Sequence, residues 1–128
     1  MDCPVCKTAM ITFELEGVEV DFCNDCNGIW LDAGELEQLL GNPLQAEQLI
    51  NSFKVDKNCS EKPRKCPICL KKMKKIIINI SEPLLLIDKC AKSHGLWFDK
   101  GELQDILKTG SFDSENKVAK LLTEMFAD

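Results

Sequence analysis

Apolar and polar positions alternate along this chain with two different periods, and each change of period marks an element. Ile11, Phe13 and Leu15 alternate with Thr12, Glu14 and Glu16, Gly17 offers a turn, and Val18, Val20 and Phe22 alternate with Glu19 and Asp21. That period of two predicts a β-hairpin with one apolar face. Further along, Ile76–Ile80 and Leu84–Ile87 flank Ser81-Glu82-Pro83 as nearly continuous apolar runs. They predict a second hairpin that is apolar on both faces, covered by the rest of the chain or else by a partner.

Behind each hairpin the period becomes helical. Leu36, Leu39 and Leu40 form one stripe, and Leu103, Ile106 and Leu107 form another. Asp32-Ala33-Gly34-Glu35 and Asp99-Lys100-Gly101-Glu102 have the form of capping boxes, while Gly41-Asn42-Pro43 and Thr109-Gly110 are stop signals. A further helix is expected in each half. Leu49, Ile50 and Phe53 supply a modest stripe, and Val118, Leu121, Leu122, Met125 and Phe126, capped by Ser114, supply a stronger one.

This parallel order of elements reflects an internal repeat. Gly28-Ile29-Trp30-Leu31-Asp32-Ala33-Gly34-Glu35-Leu36 returns as Gly95-Leu96-Trp97-Phe98-Asp99-Lys100-Gly101-Glu102-Leu103, and Cys3-Pro4-Val5-Cys6 returns as Cys66-Pro67-Ile68-Cys69. Two blocks repeated in the same order point to duplication. The join falls in the polar stretch closed by Pro63, which gives units at 1–57 and 63–128 with a linker at 58–62. Units of about 60 residues bury little surface on folding and commonly lean on disulfides or a metal.

The eight cysteines decide between those supports. Met1 stands two residues before Cys3, which leaves no room for a secretory leader, and no apolar run is long enough to cross a bilayer. A cytoplasmic protein with reduced thiols and no membrane partner is expected, in which Cys-x-x-Cys pairs suggest metal or redox chemistry. Cys3, Cys6, Cys23 and Cys26 make two such pairs, and the hairpin between them brings the pairs together. Four thiolates suit tetrahedral zinc, with iron as the other metal open to the first set. In the second copy Cys66, Cys69 and Cys90 recur, but Ser93 stands in the place of Cys26. His94, the chain's only histidine, follows it. Because imidazole reaches further from the backbone than a thiol, a Cys₃His zinc site is expected. Cys59 is left over in the linker as an unpaired thiol, with redox sensing as its other reading.

Two saturated sites leave no coordination position for water or substrate, so no enzyme is expected. Trp30 and Trp97, each just after a ligand pair, are expected to roof the metal sites; the alternative is a partner anchor. The net charge of −5 is uneven: residues 1–58 carry 3 lysines against 11 acids, and residues 59–128 carry 13 basic residues against 10 acids. Lys62, Arg64, Lys65, Lys71, Lys72, Lys74 and Lys75 crowd the Cys66–Cys69 turn as a possible nucleic-acid contact. Without interleaved aromatic residues they read as well as a solvated face.

The string Cys-Pro-x-Cys, then Cys-x-x-Cys-x-Gly-x-Trp-Leu-Asp-x-Gly-Glu-Leu, resembles the transcription factor IIB-type zinc ribbon family. It covers residues 3–36 closely and 66–103 with two departures, at Ser93/His94 and in the longer hairpin. The resemblance implies two structural zinc ions and a ribbon fold. The resulting expectation is a small metal-stabilised α+β protein with two zinc-ribbon hairpin modules, each followed by one or two α-helices. It would act as a protein-interaction or transcription-associated adaptor, with homo-oligomers allowed. The rival is a thiol-disulfide or chaperone-like redox protein using its Cys-x-x-Cys pairs.

Overall fold

In a computed structural model of the chain, the structure describes residues 1–15, 17–40, 43–56, 64–78 and 85–109. Its elements are β1 (Ile11–Leu15), β2 (Val18–Phe22), β3 (Ile29–Asp32), α1 (Glu35–Leu40), α2 (Pro43–Asn51), β4 (Lys54–Val55), β5 (Lys74–Ile78), β6 (Leu85–Lys89), β7 (Gly95–Phe98) and α3 (Glu102–Thr109). The fold is mostly antiparallel sheet with few and short helices. The expected last helix, Val118–Phe126, and the second hairpin's turn at 81–83 lie outside the described residues. So do Cys59 and Lys62. No helix among the described residues is long and apolar enough to cross a membrane.

The first hairpin pairs as its alternation requires, from Ile11↔Phe22 to Leu15↔Val18. The second pairs Ile76↔Ile87 and Ile77↔Leu86. In each copy a third strand joins the hairpin: β3 pairs with β2, and β7 with β6. The copies then meet along their third strands, where β3 and β7 run antiparallel with Trp30 opposite Trp97. Since Trp30 and Trp97 are equivalent positions of the repeat, this central pair is related by a local two-fold. The result is one seven-stranded sheet in the order β1-β2-β3-β7-β6-β5-β4. The edge strand β4, which follows the first copy's helices, pairs with β5 of the second copy.

Both copies feed one core. Val18, Val20, Ile29, Leu31, Leu36, Leu39 and Leu49 of the first pack with Ile76, Ile78, Ile87, Phe98, Leu103 and Ile106 of the second. The apolar face of the second hairpin is thus covered from within the chain. Ile77 and Leu86, on its other face, are half-buried. At the outer hairpin Phe13 and Phe22 meet edge to face, 5.0 Å between ring centres.

The helix starts show the capping-box glutamates at work and a difference in the aspartates. Glu35 Oε1 accepts the Asp32 N–H at 2.6 Å, and Glu102 Oε1 accepts the Asp99 N–H at the same distance. Gly34 and Gly101 adopt φ of 92° and 86°, which turns the chain once more before the helices begin at Glu35 and Glu102. The aspartate carboxylates serve the tryptophans. Trp30 Nε1 donates to Asp32 Oδ1 at 2.8 Å, and Trp97 Nε1 donates to Asp99 Oδ1 at 3.2 Å. Both indoles are completely buried, so these bonds satisfy their one polar group.

Candidate metal centres

Each metal centre is assembled from two tight turns, and the backbone of those turns is aimed at sulfur. In the first, the Lys7 N–H bonds back to Cys3 O at 3.0 Å, which lets the Val5 and Cys6 N–H groups donate to Cys3 Sγ at 3.3 Å. The Cys66 turn repeats this: Leu70 N–H closes on Cys66 O at 2.8 Å, and Ile68 N–H donates to Cys66 Sγ at 3.4 Å. Lys7, Asn27, Leu70 and Ser93 all take positive φ between 61° and 66°, one at each of the four turns. The hairpins hold the turns of a site together: β1 and β2 converge Cys3 and Cys6 on Cys23 and Cys26, while β5 and β6 converge Cys66 and Cys69 on Cys90 and His94.

The donor atoms of each set lie within 4.8 Å of one another. Cys3 Sγ is 3.7 Å from Cys26 Sγ, and Cys69 Sγ is 3.7 Å from Cys90 Sγ. Tetrahedral zinc with bonds of about 2.3 Å sets sulfurs roughly 3.8 Å apart, so the spacing fits the ion. His94 enters the second set through Nδ1, 3.4 Å from Cys90 Sγ and 4.0 Å from Cys66 Sγ. The chain therefore carries one Cys₄ and one Cys₃His group positioned to bind zinc.

The substitution of histidine for the fourth cysteine is accommodated by the turn itself. In the first copy the left-handed residue, Asn27, follows Cys26, and its N–H closes on Cys23 O at 2.9 Å. In the second the left-handed residue is Ser93, whose N–H closes on Cys90 O at 3.0 Å, one residue tighter. The spare residue is His94. Beyond it the copies fall back into step, with Cys23 N–H bonded to Gly28 O and Cys90 N–H bonded to Gly95 O.

Burial and backbone bonding divide the thiols. Burial disfavours ionisation of Cys23, but N–H donors from Cys26 and Asp25 and the Thr8 hydroxyl outweigh it and bring the thiol to about 7. At Cys90 burial is likewise overcome, by N–H donors from His94 and Lys92, and the thiol again falls to about 7. Burial pushes Cys66 up to about 11 and also raises Cys6 and Cys26. Each set thus combines a thiol lowered by backbone donors, Cys23 or Cys90, with thiols raised by burial, Cys6 and Cys26 in the first and Cys66 in the second.

Glycine makes the contact between copies that sequence reasoning missed. A β-carbon at Gly28 would stand 2.2 Å from Trp97 Cζ2, and one at Gly95 would stand 2.6 Å from Trp30 Cζ2 and 2.3 Å from Leu31 O. Each tryptophan therefore lies against the glycine that follows the other copy's ligand turn. Both indoles pack in one cluster with Cys3, Cys23, Cys66, Cys90 and Met73. The signal was present in the repeat unit, where glycine precedes the tryptophan by two residues in both copies, but its meaning depends on the strand pairing.

The basic cluster is divided by the fold. Lys75 is buried and its Nζ sits 2.6 Å from Asp88 Oδ1, while half-buried Arg64 pairs with Asp99 and stands 3.6 Å from Asp88 Oδ2. Burial raises the Asp88 carboxyl, and the cations of Lys75 and Arg64 act against it. Lys65, Lys71, Lys72 and Lys74 remain exposed around the turn.

No curated protein and no solved structure matches the chain. Among protein families, the one described as transcription factor zinc-finger matches two segments, residues 2–42 and 65–109, together more than half of the sequence. Each segment holds one four-donor set with its hairpin, tryptophan strand and first helix. The chain belongs to the TFIIB-type zinc ribbon family, in two tandem copies.

Proposed function

We propose that the protein is a non-enzymatic interaction adaptor whose two zinc ions, one held by Cys3, Cys6, Cys23 and Cys26 and the other by Cys66, Cys69, Cys90 and His94, serve to fix its shape. The carrying observation is that each group already supplies four converging donors. A four-coordinate ion so held has no open position for a substrate or an activated water. What zinc supplies there is folding free energy for turns that have little core of their own.

A thiol-redox role fits the sites less well. It needs a thiol pair free to cycle, and here both pairs of the first set converge on each other while the second set places imidazole where a thiol would stand. We assign the protein to the cytoplasm, where reduced thiols are the rule.

The test is metal analysis of the purified protein with affinity capture from the source cell. Two zinc equivalents, few freely reactive thiols and a retained protein partner are expected. Four or more thiols reacting without release of metal would sink the reading.

A further inference from the structure

The repeat supplies an internal reference surface. The Cys3–Cys6 and Cys66–Cys69 turns share a backbone: the bridge Asp2↔Ala9 of the first recurs as Lys65↔Lys72 in the second, and Lys7 and Leu70 have φ of 66° and 62°. Folding and metal binding therefore ask the same of both. Their surfaces nevertheless differ. Where the first turn carries Asp2, Lys7, Thr8 and Ala9, the second carries Lys65, Leu70, Lys71 and Lys72.

Leu70 is the most telling of these residues. It is 68% exposed, so the fold gains little from it, and it occupies the left-handed region that bulky L-residues avoid. Ile68, two residues before it, is 47% exposed. Two aliphatic side chains thus stand exposed on the turn, close along the chain to the exposed Lys65, Lys71, Lys72 and Lys74. Aliphatic tips cannot stack on bases, which disfavours single-stranded nucleic acid. Lysines around an apolar centre complement a partner that is acidic at its rim and apolar at its middle. Because β3 and β7 are antiparallel, the ligand turns that precede them, ending at Gly28 and Gly95, lie at opposite ends of the central strand pair.

We propose that the Cys66–Cys69 turn is the docking surface of the protein and that it holds an acidic protein segment carrying an aliphatic anchor, met by Ile68 and Leu70. This rests on the reading of the protein as an interaction adaptor and names the chemistry of its partner.

The first copy dictates the test, since its residues are compatible with the same backbone. Zinc-loaded full-length protein is titrated with a fluorescent synthetic peptide rich in Asp and Glu with leucines at i, i+3 and i+7. The comparators are the same peptide with serine for leucine, single-stranded RNA, and vesicles containing phosphatidylserine. The leucine peptide should bind about tenfold more tightly than the serine peptide and more tightly than RNA or vesicles. The triple variant Leu70→Lys, Lys71→Thr, Lys72→Ala should keep two zinc equivalents and lose about tenfold in peptide affinity. The decisive arm is Leu70→Lys alone, which adds positive charge. It should weaken peptide binding, whereas a purely electrostatic surface would bind more tightly. Tighter binding by that variant, preference for RNA or vesicles, or no binding of the peptide would each overturn the proposal. If the triple variant still captures the same cellular protein as wild type, the docking assignment fails and the adaptor reading stands.

Discussion

The indole of Trp30 occupies the space that a side chain at Gly95 would need, with Cζ2 only 2.6 Å from the β-carbon position. Trp97 stands in the same relation to Gly28. This reciprocal contact is where the two ribbons become one structure, and it lies beside a ligand turn on each side.

Gly95→Ala should therefore be costly although alanine suits strand backbone. The added methyl meets Leu31 O at 2.3 Å as well as the indole, and main chain cannot step aside as a flexible side chain would. A loss of about 3 kcal/mol is expected in chemical denaturation of the zinc-loaded protein. Gly17→Ala is the control, with nothing within 4 Å of its β-carbon and only its φ of 82° to strain. It should cost about 1 kcal/mol. Equal losses at the two sites would remove the steric account.

Metal binding at the two centres should be coupled through the same contact. Releasing the second ion frees the turn that ends at Gly95, and with it the surface on which Trp30 rests. In the double variant Cys66→Ser, Cys69→Ser, zinc should leave the first centre about fivefold or more faster than in wild type. Competition with a chromogenic chelator measures this directly. Unchanged release would show two independent ribbons.

His94→Ala should lower the zinc content from two equivalents toward one. The pair Ser93→Cys, His94→Asn rewrites the turn as the first copy has it, Cys-Asn-Gly, and should restore two equivalents as a Cys₄ site. Cobalt substitution reads the change in thiolate number from the spectrum. If Ser93→Cys, His94→Asn fails to hold metal while folding normally, the one-residue shift of the turn is not what distinguishes the copies.

Asp88 is 1% exposed and faces the 7% exposed Lys75. Asp88→Ala removes the carboxylate that sits 2.6 Å from the buried Lys75 ammonium, and a loss of about 3–5 kcal/mol is expected. Removing both charges with Lys75→Met, Asp88→Leu should recover most of it. A thermal melt of each variant at fixed zinc decides, and additive losses would argue against a shared pair.

The hairpins and all eight donor residues were legible because each is signalled locally, whereas the third strands β3 and β7, which carry the tryptophans, were not. Alternation gives strands, Cys-x-x-Cys spacing gives ligand turns, and duplication lets His94 be found by comparing the copies. What could not be read is how the copies meet. Nothing around Leu31 names Leu96 as its partner across the central pair. That register follows from two tryptophans fitting two glycines, which is a three-dimensional fit. The same gap hid the burial of Lys75, which looks in sequence like any member of a lysine run and stands opposite Asp88 across the hairpin.

The pairing of Trp30 with Trp97 has a consequence for how such a chain arises. An interface in which equivalent residues of two units face each other is isologous, the kind by which separate identical subunits make a closed dimer. A single ribbon with this strand would present the same surface to a copy of itself. Tethering the two turns that encounter into an intramolecular step at high effective concentration, independent of how much protein the cell makes. Once joined, the halves are also released from being identical. One can keep the plain turn while the other acquires lysines, leucine and histidine, a divergence that no homodimer of a single gene product can achieve.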